Sequence, residues 1–386
     1  MPSEIQVTNI EAEDGTSALT ISDSTGNISI SNDLDVGTQI KTNGTLCFSK
    51  DNNNNINIGS DVASLYAHGQ FHKADPTVVL FTKTGTGTAE TQTVLYVEVN
   101  GKSLEIASGT SVDMPSLTSG TDYAIWAETD GSLQASTNHT SAPSTNARKI
   151  GGFHYAPGSN ASANSGGNTT SQINEYSFWD LKFRPDCPDP RGMTLVADSF
   201  WADIYLLGGD HHLNGTSKYN VSIADDSNYP KKPLNFGGTG SNYEEPDWWG
   251  MAEVMQSHGK RLPTYDEYGA LAYGTTEQSA AGGNDVPSTG VGSNWNNFTS
   301  KWGVIQSSGC MYVWGDHFGG GTDSSSWNAA TNGRGSIYQQ ENAVRTGGAW
   351  YRPSQSGSRC SSWANHPMSR NVDVTARGVC DHYTID

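Results

Sequence analysis

Basic charge is what this chain has least of: its 386 residues carry 22 Lys and Arg against 40 Asp and Glu, a formal charge of −18. Charged residues of both signs together reach only 16%, well under the usual quarter of a globular chain. Duplex nucleic acid is thereby excluded as a partner, because neutralising phosphates takes clustered Lys and Arg. The same shortage excludes charge-driven adhesion to anionic lipid. No apolar run approaches the roughly 18 residues a membrane-spanning helix needs, so membrane insertion is not expected. Met1-Pro2-Ser3-Glu4 has neither the basic nor the apolar region of a secretory signal. The five cysteines (Cys47, Cys187, Cys310, Cys360, Cys380) are odd in number, widely spaced and free of C-x-x-C pairs. That removes the usual zinc and thioredoxin-like readings and favours reduced, buried thiols made in a cytoplasm. Without a signal, the N-x-[ST] triplets at Asn27, Asn43, Asn160 and Asn168 reflect only an Asn-, Ser- and Thr-rich composition.

What fills the gap is Gly (44 residues), Ser, Thr and Asn, a composition of strands, turns and ordered loops. Residues 1–62 alternate apolar side chains in brief pieces: Leu19 and Ile21, Ile28 and Ile30, Leu34 and Val36, Leu46 and Phe48. Turn residues such as Thr25-Gly26-Asn27 and Asn43-Gly44 separate them, and Asn52–Asn55 reads as a turn or linker. So few large apolar groups in about 60 residues make a marginal monomer, so this segment is expected to bury its face against copies of itself. From 63 to 170 the strands lengthen into a small antiparallel sandwich. Leu95–Val99 meets Lys102–Ile106 across Asn100-Gly101, a type I′ hairpin signal, and Tyr123–Ala127 turns back to Leu133 through Asp130-Gly131. A Gly/Ser/Asn loop at 158–170 marks a boundary.

Residues 171–386 hold ten of the eleven tryptophans and the only convincing helices. One is expected over Trp248–His258 with Gly259 as its stop. The next begins at a capping box, Thr264 with Glu267, and ends by Gly274. The long loop-rich remainder is the kind of chain that serves a binding or catalytic surface. Catalytic motifs are missing: there is no G-x-S-x-G, H-E-x-x-H or phosphate-cradling loop. Asp210-His211-His212 reads as a polar loop before a metal site, and Asp381-His382 as a structural pair before an acid–base pair.

In order along the C-terminal half stand KRLPTYDEYGALAYG (260–274), SGCMYVWGDHFGG (308–320), RTGGAW (345–350), SGSR (356–359) and ARGVCDH (376–382). Together they resemble the C-type-lectin-like fold of the formylglycine-generating-enzyme type. Upstream, ARKIGGFHYAPGSN (147–160), INEYSFWDLKFRP (173–185) and DPRGMTLVADSFWADIYLLG (189–208) resemble the major tropism determinants, receptor-binding proteins at phage tail-fibre tips. The likeness runs from about residue 68 to the end and fades over 1–62.

The resemblance implies a chain that is mostly β with a C-terminal α+β domain, assembled as an intertwined homotrimer. Residues 1–62 would form a β-prism-like trimerisation domain, 63–170 a β-sandwich and 171–386 the lectin-like receptor-binding domain. It further implies a protein of the virion tail fibre, assembled in the bacterial cytoplasm, whose partner is a protein on the bacterial outer surface. A diversity-generating retroelement would rewrite its variable region, about 349–374. Carried over by position, the variable residues are Ala349, Tyr351, Arg352, Pro353, Gln355, Ser362, Ala364, Asn365, Ser369, Asn371, Asp373 and Val374. Gln355 departs from the pattern, since no NNC codon encodes Gln; it has another template codon or lies outside the diversified set.

The physical reading runs alongside. Trp350, Arg359, Trp363 and Arg377, with Gly347, Gly348 and Gly357, interleave with the variable positions as a fixed scaffold. Tyr, Arg, Asn, Asp and Ser together are paratope-like. An oxidase would need a cysteine pair soon after the Gly-Gly-Ala-Trp turn, and 350–359 has none, so no catalytic residue is expected. A carbohydrate-binding lectin would need a Ca²⁺ loop such as E-P-N or W-N-D, which the terminal region lacks. No cofactor is required; a structural Ca²⁺ or Mg²⁺ ion among Asp225, Asp226, Asp285 and Asp316 stays open.

Overall fold

The computed structural model describes residues 71–383 apart from 284, 285, 287, 293, 323–325 and 331–333, and within residues 1–70 only the backbone of six strands. Two compact units divide the chain, Met1–Tyr66 and Ala67–Asp386.

In the first unit β1 (Ile10–Glu11), β2 (Ser17–Ile21) and β3 (Ile28–Ser29) form one antiparallel sheet. A second comprises β4 (Gln39–Thr42), β5 (Thr45–Lys50) and β6 (Ile56–Ile58). Register places Ile10 opposite Leu19, Ile21 opposite Ile28 and Phe48 opposite Ile58, so apolar positions share faces. The pieces expected at Ile30, Leu34 and Val36, the turns at Thr25-Gly26-Asn27 and Asn43-Gly44, and the linker Asn52–Asn55 lie outside the described residues.

The second unit opens with β7 (Phe71–Lys73), β8 (Phe81–Lys83), β9 (Ala89–Thr91), β10 (Leu95–Val99) and β11 (Lys102–Ile106). Next come β12 (Val112–Asp113), β13 (Thr121–Ala127), β14 (Leu133–Ser136), β15 (Arg148–Ala156), β16 (Gln172–Ile173) and β17 (Trp179–Asp180). Strands β11-β10-β7 make one sheet, β8-β9 a ribbon, and β12 to β17 a six-stranded sheet. Asn100 and Gly101 both take positive φ and close the expected two-residue turn between Val99 and Lys102. Leu95, Val97 and Val99 share one buried core with Tyr123, Ile125 and Phe153 from the larger sheet, a sandwich arrangement. It is not wholly antiparallel, because β12 runs parallel to β14. Nor does the sheet stop at the glycine-rich loop. Buried Asp180 on β17 accepts from Lys73 Nζ at 2.7 Å and Leu80 N at 2.8 Å.

The remainder comprises β18 (Arg184–Pro185), β19 (Met193–Val196), β20 (Phe200–Asp203), α1 (His211–Asn214), α2 (Trp248–Ser257), α3 (Tyr265–Leu271) and β21 (Tyr312–Thr322). Then come β22 (Trp327–Ala329), β23 (Ser336–Tyr338), β24 (Glu341–Thr346), β25 (Ser361–Asn365), β26 (Val374–Thr375) and β27 (Val379–Tyr383). Two four-stranded sheets result, ordered β18-β27-β20-β19 and β25-β24-β21-β26. Helix α2 is capped by the Asp247 carboxylate on Gly250 N and stops before Gly259, whose φ is +70°. Helix α3 forms the complete Thr264/Glu267 capping box. Met251, Val254 and Met255 of α2 pack with Trp314, and Tyr268 and Leu271 of α3 with Met311 and Val313. The chain is thus mostly β with few helices, as its composition requires.

Candidate binding surface

Strand β24 is followed by Gly347-Gly348, both at positive φ (+86° and +84°). A Cβ at either would strike the Tyr268 hydroxyl or Ser356, so only glycine makes this exit from the sheet. The chain then passes Cys310, with Ala349 bridged to it and Trp350 N donating to Cys310 O at 3.0 Å. It makes a tight turn through Arg352 and Ser356, rejoins β24 as β25, and returns beside β21 as β26. There Val374 pairs with Tyr312 and Thr375 with Val313.

This path gathers residues from three segments around one open concavity of about 500 Å³. Tyr351 and Arg352 come from the turn, Ser362, Ala364 and Asn365 from β25, and Asn371 and Asp373 from the returning chain. Seven of the twelve positions expected to vary are therefore neighbours in space. Pro353 and Gln355 are exposed nearby, and Ser369 is half-buried; none of the three lines the concavity. Ala349 and Val374 lie at 0% and 1% exposure, their side chains turned to the core. Each is the first residue laid against β21 or its approach, which leaves no room for solvent.

The scaffold expectations also divide. Trp350 is buried at 9%. Arg377 is fully buried, and its guanidinium donates to the carbonyls of Asp203, Ile204, Ile305 and Gln306 at 2.7–3.3 Å. Trp363 is only half-buried, packed over Gly319 and Gly320 and edge-on to Tyr265. Arg359 is exposed; its backbone carbonyl, which any residue could supply, is what Tyr265 Oη bonds at 3.1 Å.

Sequence reasoning missed the floor. Arg345 on β24 is 3% exposed, stacks 4.5 Å from the Trp314 ring centroid, and has its pKa pushed down to about 10 by burial. It remains charged at neutral pH. With its carboxamide oxygen turned inward, Asn371 accepts from Arg345 Nη1 at 3.1 Å and Nη2 at 3.3 Å. Asp373, 8% exposed, accepts from the Tyr351 hydroxyl. Burial and that hydrogen bond hold the phenol's pKa up. Above this floor Tyr351 stays 48% exposed, with Arg352 stacked 5.1 Å from its ring centroid. The signal for the floor was Arg345 opening the RTGGAW string, where the glycines drew attention instead.

Other candidates resolve into structure. His211 Nδ1 lies 2.9 Å from His258 Nε2, and its Nε2 lies 2.6 Å from Lys231 O, while His212 is exposed. Asp381 accepts from Arg261 at 2.9 Å, whereas His382 Nδ1 accepts from Trp201 Nε1 at 2.8 Å; adjacent on a strand, they face opposite ways. Asp225 is consumed by its own turn, accepting from Ser227 and Asn228, Asp226 pairs with Arg370 at 3.5 Å, and Asp316 is exposed. Asp285 lies outside the described residues. Among the described residues no three His, Cys, Asp or Glu side chains gather as a metal site. A second concavity, of about 300 Å³ near Asp122, His139 and His258, is lined by charges already paired, Arg191 with Asp189 and Lys260 with Asp203.

Fold and surface together define a β-rich recognition protein. Residues 79–180 match the family described as the Mtd second domain. The chain is 56% identical over 326 residues to the tail fiber receptor-binding protein of Bordetella phage BPP-1, covering 82% of this chain and 85% of that one. Solved structures of the major tropism determinant M1 and I1 variants superpose with a TM-score of 0.81 at 50% and 51% identity, over 88% of this chain and 95% of theirs. The chain belongs to the major tropism determinant family.

Proposed function

We propose that this chain is the receptor-binding protein of a phage tail fibre and that the Tyr351–Asp373 concavity with its rim meets a protein on the bacterial surface. One observation carries the site: positions scattered over 23 residues of sequence converge on one concavity that also exposes edges of the buried Arg345 and Trp350. Rim residues can then change while Arg345, Trp350 and Arg377 hold the backbone. That division is what a surface rewritten by a retroelement needs, and we assign the diversified set to Tyr351, Arg352, Ser362, Ala364, Asn365, Asn371 and Asp373, with Pro353, Gln355 and Ser369 around them.

The same reading takes 171–386 as a C-type-lectin-like domain, with α2 and α3 packed on the β25-β24-β21-β26 sheet. Residues 63–170, extended by β16 and β17, are the sandwich, and 1–62 a β-prism-like domain that joins three copies. The protein sits at the fibre tip of a virion assembled in the host cytoplasm. This reading needs no catalysis, and the thiols beside the variable segment agree with it: burial pushes Cys310 up to about 12 and raises Cys360 as well, away from the thiolate a nucleophile needs. No cofactor is required in this reading, and Asp225 and Asp226, two of the aspartates considered for an ion, are engaged with protein groups.

A surface rebuilt at random binds modestly at each site, on the order of micromolar or −8 kcal/mol. Three sites on one trimer raise apparent affinity by about 10²–10⁴. Surface plasmon resonance on receptor-bearing outer-membrane protein at low and high density tests this. Dissociation should slow sharply at high density, and Tyr351→Ala/Arg352→Ala should abolish binding at both. Full binding by the double variant would refute the site.

A further inference from the structure

Of the four cysteines between residues 171 and 386, Cys187 and Cys380 share one buried cluster. Strand β18 pairs with β27 in antiparallel register, Arg184 opposite Tyr383 and Pro185 opposite His382. Asp186 N donates to Asp381 O at 2.9 Å, so the ladder continues past the named strand. The chain bends over 186–188, and continuing the register by one step would bring Cys187 to face Cys380. Hydrogen-bonded and non-hydrogen-bonded pairs alternate along such a ladder. With 186 and 381 bonded, that step is of the non-hydrogen-bonded kind, in which Cα atoms lie about 4.5 Å apart, inside the span of about 4.4–6.8 Å that a disulfide bridges.

Opposed residues put their side chains on one face, and both sulfurs lie in one buried cluster with Met193, Leu195 and Trp201. Cys187 Sγ is 3.6 Å from Met193 Sδ and donates to Asp189 O at 3.3 Å. The two thiols also perturb each other. Contact with Cys380 lowers the Cys187 pKa against the opposing effect of burial, while Cys187 and burial raise that of Cys380. Lys260 lies close enough to favour the thiolate of either.

We propose that Cys187 and Cys380 are a disulfide site: the pair closes into a cross-strand bond when the protein meets a low-molecular-weight disulfide such as oxidised glutathione. The Cys187 thiolate attacks one glutathione sulfur, forming a mixed disulfide and releasing one glutathione thiolate. Cys380 then attacks the Cys187 sulfur and expels the second. Two thiols are oxidised to one disulfide, one glutathione disulfide is reduced to two thiols, and the two cysteine protons pass to the departing glutathiones. At 5% and 4% exposure the sulfurs are shielded, so exchange proceeds during folding or local opening. The bond would tie β27, the last strand after the variable segment, to the chain entering the C-terminal half. It would enclose a loop of nearly half the protein, the long-loop case in which a crosslink restrains the unfolded chain most.

The test uses the full chain, unfolded in guanidinium and refolded in a glutathione buffer with the oxidised form in excess. Remaining thiols are alkylated and the digest mapped by mass spectrometry. A peptide linking Cys187 to Cys380 is expected, with reactive thiols falling from five to three and a melting temperature that rises and returns on reduction. Cys187→Ala should fold yet show no oxidant-dependent rise. A natively folded product with Cys187 and Cys380 both alkylated, or paired instead with Cys47, Cys310 or Cys360, would overturn the proposal. The wild-type map decides the question even if the variant does not fold.

Discussion

Arg377 shows how one side chain can secure several segments. Its four carbonyl partners come from β20, the residue after it, and the 305–306 loop. Arg377→Ala strands those buried acceptors and leaves a cavity, so it should cost about 3 kcal/mol or more, measured by chemical denaturation. Lys cannot reproduce the planar fork and should recover little. Tyr351→Ala should cost about 1 kcal/mol or less, because losing the ring opens Asp373 to water, yet it should weaken receptor binding. Trp363→Ala falls between, below the roughly 3–5 kcal/mol of a core Trp, since the side chain is only partly buried. Equal losses for Tyr351 and Arg377 would contradict this ranking. His258 adds a pH dependence: burial, then neighbouring His211, holds its pKa down at about 4 from 6.5. The unfolded chain therefore binds the proton more readily, and stability falls as pH drops from about 6.5 toward 4. Melting temperature should decline over that window, and less so in His258→Asn. Identity at this scale was only half legible. Tyr351 and Arg352, the pair we assign to recognition, are exposed, but Ala349, Val374 and Arg359 could not be sorted, because burial depends on which strand each residue meets.

Elements whose causes are local were legible from the residues alone. The Thr264 box caps α3 through Glu267, and Asn100-Gly101 makes its hairpin, because each signal lies within four residues of its effect. Thr264→Ala should accordingly cost about 1 kcal/mol, read from urea midpoints at unchanged m-value. Gly348→Ala should cost more, combining a strained positive φ with the clash against Ser356; a neutral result would mean the β24 exit is not fixed. Pairings between distant segments were not legible. Nothing local tells β26 to lie parallel to β21 across more than fifty residues, or β17 to complete the sandwich beyond a glycine-rich loop.

In our reading the whole molecule turns on association. Residues 1–62 hold too little apolar bulk for a core of their own, so light scattering coupled to size exclusion should give about three times 41.2 kDa. A stable monomer at micromolar concentration would contradict the shared-core reading. The C-terminal surface carries a consequence of another kind. Thr346 at the end of β24 pairs with Ser361 at the start of β25. The chain between them leaves and rejoins the sheet at one point, as an Ω-loop does. Its ends are already closed by the fold, so lengthening it costs only about 0.6 kcal/mol per doubling. The loop is thus a cassette as well as part of the surface we assign to variation. A foreign peptide spliced in at exposed Pro353–Gln355 should be displayed without unfolding its carrier, making insertion, and not only substitution, a route to new specificity.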